Sequence, residues 1–88
     1  MPATDKLQVE IVSHEGRIWH GSASQVSFPA TDGSIGVLPG RQPVLAGLVP
    51  GRVSITTEQG VVDFDIDKGL ASVDSDFITI VVEHASQM

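Results

Sequence analysis

At 88 residues the chain has room for one domain, and a domain of that size buries only about 60–65% of its unfolded surface, so support from a partner would be useful. Eleven acidic residues against five basic ones give a formal charge of -6, with Lys6, Arg17, Arg41, Arg52 and Lys68 scattered along the chain, which argues against nucleic acid, whose binding draws on clustered bases. The absence of cysteine excludes disulfides, thiolate zinc sites and cysteine nucleophiles, and no apolar run approaches the ~18 residues of a membrane span.

The first residues, 1–6, show neither a basic segment with an apolar core nor an Arg-rich presequence, and are expected to form a flexible tail on a chain that meets membranes only through partners. From Leu7 the apolar residues Leu7, Val9 and Ile11 alternate with Gln8 and Glu10, the period of a half-buried strand, and His14-Glu15-Gly16 predicts a turn into a second strand through His20. Between Ala23 and Phe28, Val26 and Phe28 share one face and Gln25 and Ser27 the other. The dipeptides Asp32-Gly33 and Pro39-Gly40 then flank Ile35, Val37 and Leu38, a run too short for a helix and suited to a tight, exposed corner. Residues 44–49 are more continuously apolar, which predicts a strand covered on both faces.

Pro50-Gly51 predicts the next turn, Val53 and Ile55 point inward, and Glu58-Gln59-Gly60 reverses the chain. Val62, Phe64 and Ile66 then alternate with Asp63, Asp65 and Asp67, setting one face to the core and the other to water. A short strand runs from Leu70 to Val73, the turn Asp74-Ser75-Asp76 follows, and Ile78, Ile80 and Val82 face inward on the last strand. Turn signals every 8 to 12 residues or so predict an all-β chain, an antiparallel two-sheet β-sandwich of roughly 8–10 short strands. The sandwich is expected over 7–85, with 86–88 as a carboxy-terminal tail.

Three constellations could carry chemistry, and each reads better as scaffold. Asp63, Asp65, Asp67 and Asp74 fall at positions one, three, five and twelve of a calcium loop, but Lys68 takes the place of the glycine needed at position six, and the intervening Phe64 and Ile66 alternate as in a strand. His14, His20 and His84 lack the spacing that would put two imidazoles on one helical face, and no Gly-x-Ser-x-Gly elbow accompanies Ser13. Gly33, Gly36 and Gly40 resemble a phosphate cradle only superficially, with neither the lysine nor the following helix. Trp19 is expected to anchor the core with its indole N–H on a carbonyl.

The order of short motifs is more informative than any one of them. Leu7 to Gly21, the stretch DGSIGVLPGRQPVL from Asp32 to Leu45, Leu48-Val49-Pro50-Gly51, Gly69 to Val73 and Phe77 to Ala85 together resemble the amino-terminal β-sandwich domain of the epsilon subunit of F-type ATP synthases. Gly33, Ile35, Gly36, Val37, Leu38, Pro39, Gly40 and Pro43 fit the signature of that family, while Arg41 stands where histidine is usual and Gln42 where a small residue is common.

The resemblance implies a non-catalytic rotor subunit without a cofactor, at the cytoplasmic face of the bacterial plasma membrane, linking the gamma subunit to the c-ring and acting only indirectly on the alpha/beta hexamer. It places Asp32, Gly33 and Ser34 toward the c-ring and Arg41, Gln42, Pro43, Val44 and Leu45 toward gamma. Many members carry a further helical hairpin, which in some bacteria restrains hydrolysis; the resemblance up to Met88 implies the scaffold role and not that one. The rival expectation is a free-standing β-sandwich that binds a ligand or metal through the Asp face or the histidines.

Overall fold

The computed structural model describes residues 6–88, which form ten strands: β1 (Leu7–Ser13), β2 (Gly16–Ala23), β3 (Gln25–Ala30), β4 (Gly33–Val37), β5 (Val44–Leu48), β6 (Gly51–Thr57), β7 (Gly60–Ile66), β8 (Gly69–Asp74), β9 (Phe77–Val82) and β10 (Ala85–Gln87). Residues 1–5 of the expected tail lie outside the described part. The strands pair in the order β10-β7-β6-β3-β5-β8-β9-β1-β2, with β4 on the other edge of β3. The path folds into two layers, because β3 meets β5 only at Ala30 and Leu48. One layer is therefore β4-β3-β6-β7-β10 and the other β5-β8-β9-β1-β2.

Alternation decides which side chains meet between the layers. Leu7, Val9 and Ile11 of β1, Val26 and Phe28 of β3, Val53 and Ile55 of β6, Phe64 and Ile66 of β7, and Ile78, Ile80 and Val82 of β9 are all buried. Each set lies two residues apart, as a pleated strand with one face on a core requires. Phe28 and Phe64 are the largest fully buried side chains. Trp19 is half-buried against this core, its ring edge toward Phe64 at a centroid distance of 6.4 Å. The space it fills is left by Gly21, where a Cβ would come within 2.9 Å of the indole. No indole hydrogen bond is present among the described residues, so packing holds Trp19 and the expected carbonyl contact is not made.

Three further expectations are corrected. The sheet is not wholly antiparallel: β1 pairs with β9 in parallel, Val9 beside Ile78 and Ile11 beside Ile80. Parallel neighbours need a long connection, and here β2 to β8 together supply it. Residues 44–49 are not covered on both faces, since Leu45 is 75% exposed while Leu48 is buried. Finally, Ser86 and Gln87 are not in a tail but pair with Asp65 and Phe64 across β10 and β7.

Candidate functional site

The two segments expected to contact partners sit at opposite ends of β4. At its start Ala30 pairs with Gly33, so Thr31 and Asp32 form a two-residue turn. Gly33 has φ 116°, which only glycine adopts without a steric cost. Thr31, Asp32, Gly33 and Ser34 are all exposed, making the corner that the turn dipeptide predicts. At the far end, about 14 Å away at a rise of ~3.4 Å per residue, Pro39 and Gly40 make the second corner, and Gly40 has φ 88°. Proline followed by a residue at positive φ is the pattern of a type II turn.

That second corner is held from outside. The Gly40 amide donates to Asp76 Oδ1 at 2.8 Å, and Arg41 Nη1 donates to the Gly36 carbonyl at 3.4 Å. Asp76 and Ser75, the two central residues of the β8–β9 turn, have φ 65° and 53°, the values of a type I′ hairpin turn. The Asp76 carbonyl accepts from the Gln8 amide at 2.9 Å. One residue thus ties the corner at 39–40 to both β1 and β9.

Beyond the corner, Arg41, Gln42, Pro43 and Leu45 are exposed, whereas Val44 packs half-buried against the core. Leu45 and Gly47 point to the outer face of their sheet, where Gly47 stands opposite Leu70, Leu70 opposite Val81 and Val81 opposite Val12. Leu45, Leu70 and Val81 are 75%, 53% and 48% exposed. Leu70 and Val81 line a shallow depression bordered by Lys68 and Glu83, and Leu45, opposite Ser72 on the same outer face, lines a neighbouring one with Pro43, so that the three make an apolar band across β5, β8 and β9. Sequence reasoning read Leu45 as part of a covered strand and missed Leu70 and Val81; the signal was an apolar residue at an outward position of an alternating strand.

The polar constellations fall elsewhere. Asp63 accepts a 2.6 Å hydrogen bond from the Ser54 hydroxyl across β6 and β7, while Asp65 and Asp67 are exposed, so the acidic residues line a strand face as their spacing predicts. His20 lies in a surface groove with Glu10 and Arg17, whose side chains pair at 3.0 Å. His14 and His84, by contrast, are brought ring to ring. Among the described residues no three His, Cys, Asp or Glu side chains are grouped to hold a metal ion, and no helix is long and apolar enough to cross a membrane.

Residues 6–88 match the family model of the ATP synthase delta/epsilon chain β-sandwich domain. The chain belongs to this family. Among curated relatives it is 46% identical over 81 residues to the ATP synthase epsilon chain of Micrococcus luteus, covering 91% of this chain and 89% of that one. It is 44% identical over 82 residues to the epsilon chain of Rhodococcus opacus, covering 91% and 67%. The fold is shared with a chain of the Euglena gracilis mitochondrial ATP synthase F1/c-ring complex, at a TM-score of 0.90 and 19% identity over 99% of this chain and 56% of that one. It is shared also with a chain of the Tetrahymena thermophila ATP synthase central stalk and c-ring, at 0.75 and 17% over 97% and 69%. The two-layer architecture above is thus the epsilon-chain sandwich.

Proposed function

We infer that this epsilon-family chain is a rotor-stalk subunit of a proton-translocating F-type ATP synthase, catalysing nothing itself and linking the gamma subunit to the c-ring. The family match across 6–88 carries this reading. In this reading the protein is peripheral, held on the cytoplasmic face of the membrane through its partners.

The geometry supports a division of labour along β4. The exposed polar corner Asp32, Gly33 and Ser34 is suited to the polar loops of the c-ring. The corner of Arg41, Gln42 and Pro43, continued by Leu45, is suited to gamma. Its proline residues and the Asp76 tether order the loop before binding, which lowers the entropic cost of association. Leu45, Leu70 and Val81 extend this contact as an apolar band that a partner would cover. Val44, half-buried against the core, supports the loop from beneath.

Co-purification from native membranes tests the assignment. Recovery of gamma with the alpha, beta and c subunits is expected; recovery of none of them with a folded chain, under conditions that preserve the synthase, overturns it and returns the free-standing ligand binder to consideration.

A further inference from the structure

His14 opens the β1–β2 turn and His84 lies in the link between β9 and β10, yet their ring centroids are 5.0 Å apart with planes inclined at 84°. His14 Nδ1 lies 2.9 Å from the Glu83 carbonyl oxygen. A carbonyl oxygen only accepts, so Nδ1 bears the hydrogen, and in the neutral ring Nε2 keeps its lone pair free. A backbone carbonyl on one ring nitrogen is the usual way a metal-binding histidine is oriented with the other nitrogen outward. Both imidazoles are exposed, so neither has to be dug out of the core to reach a ligand.

We propose that His14 and His84 form a two-imidazole site for a divalent transition-metal ion of the zinc, nickel or copper class, which favours imidazole nitrogen. At Zn–N distances of ~2.0–2.1 Å, two ligating nitrogens lie roughly 3–3.5 Å apart. Rings already 5.0 Å apart at their centroids reach that spacing by turning about exposed side-chain torsions. With no third His, Cys, Asp or Glu grouped with them among the described residues, water completes the coordination. The site is therefore an open, exchangeable one and not a closed structural centre. An ion held there joins the turn of the first hairpin to the segment that enters β10, and so couples metal binding to the docking of the last strand.

The test uses the full chain without a polyhistidine tag, titrated calorimetrically with zinc chloride and nickel chloride and melted with and without each metal. One equivalent is expected to bind, with a rise in Tm of several degrees at metal concentrations about 100-fold above Kd. His14→Gln and His84→Gln are each expected to weaken binding by about tenfold or more and to cut the rise at the same metal concentration to about half or less. His20→Gln should leave both unchanged. Because the three side chains are exposed, an unaltered Tm without metal confirms that each variant is folded. Absence of saturable binding to the native chain, binding unaffected by the His14 and His84 substitutions, or binding lost equally in His20→Gln overturns the site.

Discussion

The carboxylate of Asp76 and the amide of Gly40 are joined by a 2.8 Å hydrogen bond although 36 residues separate them in sequence. The β8–β9 turn is thereby the outside support of the corner proposed to face gamma. Asp76 can serve because aspartate tolerates the left-handed backbone better than most residues, and its φ is 65°. Asp76→Ala removes the acceptor and leaves a less tolerant residue at that φ, at an expected cost of about 1–2 kcal/mol. Asp76→Gly relieves the backbone but not the lost bond. Urea denaturation should rank native above Gly above Ala, while hydrogen exchange at the Gly40 amide accelerates in both variants.

Leu45 separates binding from folding. Its side chain is 75% exposed, so Leu45→Asp should change stability by no more than about 0.5 kcal/mol. It should weaken association with purified gamma by a few kcal/mol if the apolar band is the contact, roughly the loss of an interface anchor. Val44→Asp gives the opposite balance, because Val44 packs on the core and a carboxylate there would disturb the fold. Calorimetric titration of gamma into each folded variant checks the pair; unaltered affinity in Leu45→Asp removes the band from the interface.

Gly69 has no room for a side chain. A Cβ there would fall well inside contact distance of the Val81 carbonyl oxygen and 2.9 Å from Val82 Cα. Both are backbone atoms of the paired strand β9, and neither can rotate away. Gly69→Ala is expected to destabilise the domain by about 3 kcal/mol, as overpacking does when the neighbours cannot yield. Gly36→Ala meets open space and should stay within about 0.5 kcal/mol of native. Denaturant midpoints measured side by side decide this.

Phe64 lies between the layers with the edge of Trp19 against it, and its exposure is 1%. Phe64→Ala should cost about 3–5 kcal/mol, a large share of the stability of a domain this small. A much lower Tm, or no cooperative transition at room temperature, is the expected result.

The pH dependence of one surface pair has a definite sign. The Lys6 ammonium donates to Glu58 and, through its hydrogen bond first and its charge second, holds the carboxyl below its ordinary value of 4.5. A carboxylate whose folded value is depressed adds stability above its unfolded value and loses that contribution as the pH falls through the folded one. Glu58 is fully exposed, so the effect is small and screened by salt. An NMR titration should find the Glu58 midpoint below 4.5 in the native chain and returned toward it in Lys6→Gln.

What the sequence made legible was local. The alternation of Val62, Phe64 and Ile66 and of Ile78, Ile80 and Val82 predicts their burial directly, and Pro39-Gly40 predicts a corner that the φ of Gly40 bears out. Family membership was legible from the order of short motifs. What stayed hidden was non-local or ambiguous. Nothing near β1 says that it lies parallel to β9, and nothing near His14 points to His84. Ala85-Ser86-Gln87 has no apolar alternation to mark β10. The apolar run at 44–49 looks the same whether a second layer or a separate partner covers it, and only the exposure of Leu45 distinguishes the two.

The parallel pairing of β1 with β9 also governs when the domain can form. Leu7 to Ser13 leave the ribosome well before their central partner, Phe77 to Val82, which follows about 60 residues later in the chain. Until then β1 has only the β2 hairpin on one side, and β8 lacks its neighbour as well. Closing a contact between strands so far apart in sequence is slow compared with hairpin formation, so the nascent protein holds unpaired strand edges until β9 has emerged. The formal charge of -6 on the chain disfavours association of neighbouring nascent chains during that interval.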